Sequence, residues 1–118
     1  MGRNFKEYPV WKQARDLNKD IYSLSMPYTE KKCLQDQIRR ASISISSNID
    51  EGCGRSSNIE FARFLEIALG SAFEVESQLI LCFDLRYIDE ETFSKIEGKV
   101  TEIQRQLTGL IKSVKPQT

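Results

Sequence analysis

Gln37, Arg40, Ser44, Asn48 and Glu51 follow one another at intervals of three, four, four and three. That spacing puts amide, guanidinium, hydroxyl and carboxylate groups on one face of a helix. Folding a following helix back near Arg55 would set Ser71 and Glu74 opposite Arg40, and Glu66 opposite Ser44. An Arg40–Glu74 pair across such a seam would be hydrogen-bonded and orienting. The bland use of this face is a register lock, because polar seam residues specify which helices pair and how they align. The sharper use is a small polar pocket for a ligand or partner. A third use, acid–base work by Glu51, Glu66 and Glu74, requires an environment that raises one carboxyl pKa. No hydroxyl or thiol has a recognisable base beside it, so no catalytic residue is assigned.

Residues 42–61, SISISSNIDEGCGRSSNIEF, look at first like a phosphate loop. They contain no GxxxxGK[ST] pattern, and GCGRSSN does not complete GxGxxG after a strand. Gly52 and Gly54 instead read as the exit from one helix, where glycine can take positive φ. Ser56, Ser57 or Asn58 then caps the next helix, with Glu60 placed for a capping box. Cys53, near a helix N-terminus and Arg55, would have a favoured thiolate, although a turn cysteine without partners is more often incidental. The chain has no histidine, which removes the commonest general base and the commonest zinc ligand. No metal or cofactor site is assigned.

The elements that must hold these groups are helical. Val10, Ala14, Leu17, Ile21 and Leu24 repeat at three and four, behind Pro9 at a position the first turn tolerates. Met26-Pro27-Tyr28-Thr29 breaks the run, and Thr29 with Glu30 suits a new helix start. Leu34, Ile38, Ala41, Ile45 and Ile49 form the second stripe; Phe61, Leu65, Ala68, Ala72, Val75, Leu79 and Cys82 form the third. Asp89 can cap a fourth helix, carrying Phe93, Ile96, Val100, Ile103, Leu107, Leu110 and Val114. The expected helices span about 9–25, 30–52, 57–85 and 89–114 of one domain covering 1–118. Short connections make an antiparallel up-down-up-down four-helix bundle the economical all-α arrangement. The third helix carries a surplus stripe, Leu69, Phe73, Ile80 and Phe83, which one bundle core does not need. Self-association is the expected cover for it, ahead of a wide core stripe with the rings wrapping inward.

The charge pattern limits the partners. Lys plus Arg and Asp plus Glu number 17 each, so no strong overall field draws the molecule to nucleic acid or an anionic membrane. Residues 1–63 carry 11 basic and 8 acidic side chains, leaving 6 and 9 beyond them. In the first helix Arg3, Lys6, Lys12, Arg15 and Lys19 lie near Tyr8 and Trp11, an arrangement that can stack bases. Asp16 and Asp20 interrupt it, and a solvated face is the plainer reading. No run approaches membrane-spanning length. Three widely spaced cysteines, Cys33, Cys53 and Cys82, fit free thiols in a reducing cytoplasm.

QIRRASISISSNIDEGCGR, followed by SSNIEFARFLEIALGSAFEVESQL, closely resembles the small bacterial four-helix-bundle family named for intervening sequences in 23S ribosomal RNA genes. Gln37, Arg39-Arg40-Ala41, Asn48-Ile49, Glu51-Gly52, Arg55, Glu60-Phe61, Gly70-Ser71 and Glu74 carry the likeness most specifically. The resemblance implies a ring-like homopentamer and a non-enzymatic role, with RNA or ribonucleoprotein association inferred from where some members are encoded. A similar accessory protein of diversity-generating retroelements is a basic pentameric barrel that works with RNA and a reverse transcriptase. This chain departs in its zero net charge. Asp50 stands where the family pattern suggests Ala, and Arg86 where it suggests a helix-ending glycine, implying a different cap. A protein-binding scaffold without nucleic acid is the alternative, and an enzyme using seam carboxylates the outsider.

Overall fold

Four α-helices account for most of the chain: α1 Pro9–Tyr22, α2 Lys32–Cys53, α3 Asn58–Asp84 and α4 Glu90–Val114, preceded by a 3-10 turn at Phe5–Glu7. The computed structural model describes residues 2–24, 26 and 32–115, with Lys32 described by its backbone only. No strand occurs among the described residues. The expected start of the second helix at Thr29 and Glu30 lies outside them. α1 stops at Tyr22, short of the residue 25 that the apolar spacing reaches. The Ser23 N–H there donates to the Lys19 and Ile21 carbonyls, and its hydroxyl donates to the Lys19 carbonyl at 2.7 Å.

Each helix buries the stripe that its three–four spacing defines. Leu17 and Ile21 from α1, Ile38 and Ile45 from α2, Leu65 and Leu79 from α3, and Ile103 and Leu107 from α4 are completely enclosed. Each such side chain contributes roughly 1.5–3 kcal/mol by leaving water. α2 packs against α1 and α3, and α4 against α3 and α1, in a body of 47 × 21 × 20 Å.

Polar pairs fix how these stripes align. Ser42, fully buried, donates to Asn18 Oδ1 at 2.6 Å, and Asn18 Nδ2 donates to Ser46 Oγ at 3.1 Å. Lys99 on α4 reaches two carboxylates of α1, Asp16 at 2.7 Å and Asp20 at 2.5 Å. These hydrogen bonds hold the Lys99 pKa up and the Asp16 pKa down. Gln104 Nε2 donates to Glu76 Oε1 at 2.9 Å between α4 and α3.

The connection from α2 to α3 is a helix hairpin with a tight inner wall. Gly52 lies inside α2, and no glycine among the described residues has positive φ. The expectation that Gly52 and Gly54 supply left-handed backbone is therefore corrected: Gly52 is required by proximity. A Cβ there would meet Phe64 Cβ at 2.9 Å and Phe61 Cδ1 at 3.0 Å. Ser57 is the N-cap of α3, accepting from the Glu60 N–H at 3.1 Å, and its hydroxyl contacts Glu60 Oε1 at 3.3 Å. Asp89 caps α4 by accepting from the Thr92 N–H at 2.8 Å.

The end of α3 supplies the second correction. Arg86 has φ 62°, the left-handed value that glycine adopts freely. The Arg86 N–H donates to the Phe83 carbonyl at 2.9 Å and the Tyr87 N–H to the Cys82 carbonyl at 2.8 Å. That pair of bonds is a Schellman motif. The cap is thus the one a glycine would make, formed by arginine at a conformational cost.

Two substitutions test these ends. Arg86→Gly should stabilise the fold by about 1 kcal/mol by relieving the left-handed residue, raising Tm by roughly 4 °C. Gly52→Ala should destabilise by about 1–3 kcal/mol through overpacking against Phe61 and Phe64, read as a lower denaturant midpoint.

Candidate functional site

The polar seam between α2 and α3 has a closed centre and open ends. Ser44 and Ser71, the latter buried, share a hydrogen bond of 2.8 Å. Asn48 Nδ2 donates to the Ser44 carbonyl at 2.8 Å and to its Oγ at 3.0 Å. The polar capacity at this point is spent within the protein, as a register lock requires.

Toward the solvent the predicted set comes apart. Arg40 and Glu74 are both exposed and form no ion pair within 4 Å, so the charged bridge expected across the seam is absent. Glu66 is not opposite Ser44; it pairs with Lys115, the residue that follows α4, at 3.1 Å. Glu51 pairs with Arg55, four residues on and just past the end of α2, at 3.2 Å. Gln37 is exposed and donates weakly to Cys33 Sγ at 3.7 Å. The reason is rotational. Arg40, Glu51 and Glu74 fall at the outer margin of the α2–α3 contact, where water competes for their charges. Among the described residues no group of three potential ligands could hold a metal ion.

At the hairpin end the N-terminal residues add groups that sequence spacing does not reveal. Arg3 donates to the Arg55 carbonyl at 2.8 Å and to Asn58 Oδ1 at 2.5 Å, and its guanidinium sits 4.2 Å from the centre of the Phe61 ring. Tyr8 meets the same ring edge-on at 6.0 Å. Cys53 lies buried nearby, and burial pushes its thiol pKa up, against the Arg3 charge. The favoured thiolate expected at this turn is therefore corrected: the cysteine is inside the fold, where the neutral thiol is preferred. Burial also pushes the Cys82 thiol up, to about 11.

Asp50 is the one acid of this end turned toward α1. Burial raises its carboxyl pKa; the Trp11 indole opposes the rise and the Glu51 charge adds to it. Asp50 Oδ1 and Trp11 Nε1 are nonetheless both enclosed without a hydrogen bond of good geometry.

The surplus apolar stripe of α3 is redistributed. Phe83 stacks on Phe93 of α4 at 4.7 Å, and Leu69 is partly buried against the core. Phe73 and Ile80 remain 53% and 40% exposed, joined by Ile67 and Leu81 at 47% and 45%. Gly70 lies between Ile67 and Phe73 along the helix, and a Cβ there would meet nothing within 4 Å. Two of the four expected residues thus remain exposed, and Ile59, Ile67 and Leu81, which the stripe omitted, are exposed as well.

These observations define a small all-α protein of four helices whose seam hydroxyls Ser42, Ser44 and Ser71 are hydrogen-bonded within the fold. The chain belongs to the family of 23S rRNA-intervening sequence proteins, which matches residues 6–109. A crystal structure of a protein with unknown function from the S23 ribosomal protein family of Bacteroides thetaiotaomicron is similar at a TM-score of 0.81 and 32% identity. The match covers 87% of this chain and 98% of that one. No curated protein matches. Among the described residues no helix is long and apolar enough to cross a membrane.

The half-buried carboxylate yields a pH-dependent expectation. A carboxyl whose pKa is raised on folding holds its proton more tightly folded than unfolded, so stability falls as pH rises from about 3.9 through the folded pKa. Asp50→Asn should therefore raise Tm at neutral pH, with the gain shrinking as pH approaches about 4. Thermal melts of both proteins across that interval measure the difference.

Proposed function

We propose that this chain is a non-enzymatic interaction protein that assembles with copies of itself and associates with RNA or a ribonucleoprotein. The observation that carries the self-assembly is the outer surface of α3, where Ile67 and Phe73 flank Gly70 and Ile80 and Leu81 are exposed about 15 Å further along the helix. Large apolar side chains grouped in this way are uncommon on a monomer surface, and a glycine among them lets a second backbone approach closely. Cross-helix pairs support an up-down-up-down order: 18 with 42 and 46, 44 with 71, and 83 with 93. The family likeness favours a ring of five. RNA is the partner class suggested by the family's name. The balanced charge favours a second reading, a scaffold for other proteins. The three free thiols, one exposed, suit a reducing bacterial cytoplasm.

Native mass spectrometry or light scattering at micromolar concentration tests the assembly. The wild type should run as a pentamer, and Phe73→Glu with Ile80→Glu should shift it toward monomer while helical circular dichroism persists. A monomeric wild type would sink the proposal.

A further inference from the structure

The basic residues of α1 are interrupted in sequence by Asp16 and Asp20, and in three dimensions both carboxylates are tied to α4 while Asp16 also stays close enough to Lys19 for their charges to interact. Both aspartates turn to α4 and accept from Lys99 Nζ, at 2.7 and 2.5 Å. The opposite flank of α1 faces α2, as the Asn18 contacts with Ser42 and Ser46 establish. On that flank the Arg15 guanidinium lies 5.8 Å from the centre of the Trp11 ring. From α2, Arg39 lies 4.6 Å from the centre of the Tyr22 ring and donates to the Tyr22 carbonyl at 3.2 Å. Lys12, Arg15 and Lys19 are exposed. A chain of zero net charge therefore carries a local group of cations, Lys12, Arg15, Lys19 and Arg39, bordered on the α4 side by Asp16 and Asp20, which share Lys99.

The stripe is interleaved with apolar surface. Tyr22 is 46% exposed, with one side of its ring backed by Arg39 and held in place. Ile43, one turn along α2 from Arg39, is also exposed. Of the acids bordering the stripe, Asp36 and Asp50 on α2 are partly buried and Asp16 on α1 is exposed. By helical rise the aromatics Trp11 and Tyr22 stand about 16 Å apart along α1. Spaced cations beside a ring with a free face match a phosphate backbone carrying unstacked bases. An acidic peptide would use the cations but leave the ring without a partner, and a duplex hides its base faces.

We propose that the α1–α2 face binds single-stranded RNA, with phosphates on Lys12, Arg15, Lys19 and Arg39 and a base stacked on Tyr22. This rests on the RNA reading above and gives it a surface and a strand state.

Fluorescence anisotropy with a labelled single-stranded RNA of about 15 nucleotides, the same RNA in duplex form, and a polyglutamate peptide tests it on the full chain. Four phosphate contacts predict a slope of log K against log salt of about −2.8, and Arg15→Ala with Lys19→Ala should reduce its magnitude by about 1.4. Tyr22→Ala should weaken single-strand binding roughly five- to hundredfold, while Lys112→Ala on α4 changes little. Circular dichroism and native mass of each variant would establish that fold and assembly persist. If the wild type binds RNA but the Arg15 and Lys19 changes act no more strongly than Lys112→Ala, this surface is wrong and RNA association stands. Preference for duplex overturns the single-strand assignment. A wild type that binds only polyglutamate, or binds nothing, overturns both the surface and the RNA reading.

Discussion

The closeness of α2 and α3 at Gly52 is the constraint on which the remaining geometry depends. With no side chain at that position, Phe61 and Phe64 settle against the α2 backbone, and the apolar stripes of α2 and α3 meet in one register. Ser44 and Ser71 then fall within 2.8 Å of each other, twenty-seven residues apart in the chain. A larger residue at 52 would wedge the hairpin open at its closed end, and the displacement would grow along the helices. Interiors packed at near-crystalline density transmit such shifts instead of absorbing them.

Once α2 and α3 are set, the polar contacts of the other helices act as alignment marks more than as sources of large stabilisation. The Ser42–Asn18–Ser46 set seats α1 on α2, and Lys99 ties α4 to α1 through two carboxylates. A partly exposed ion pair of this kind adds modest stability. It also holds the two carboxylates of α1 on the side that faces α4, away from Arg39 on α2.

Much of this architecture was legible because the apolar periodicity is regular and the caps are short-range. Ser57 and Asp89 sit within four residues of the amides they satisfy, so local sequence suffices to find them. The seam was only half legible. Ser44 and Asn48 meet one turn apart as the spacing implies, but Ser71, expected opposite Arg40, pairs with Ser44 instead. Arg40 and Glu74 lie farther around their helices, where a rotation of some tens of degrees separates long side chains. Phe83 and Leu69 escaped for a related reason: on a helix with apolar residues over most of its circumference, periodicity does not say which flank faces a neighbour. Glycine roles were misassigned because a close approach is a property of the partner helix, invisible in the local string. Arg86 escaped because left-handed backbone is a poor expectation for arginine.

The N-terminal contact has a consequence in time. Arg3 reaches Arg55 and Asn58, partners more than fifty residues downstream, and lies over Phe61. During synthesis Arg3 emerges before the groups that receive it, because they lie so far downstream. Closing so long a loop carries an entropic cost that the α2–α3 hairpin, built from nearer neighbours, largely avoids. The arm is thus a latch made first and fastened late, set over the joint where the hairpin turns.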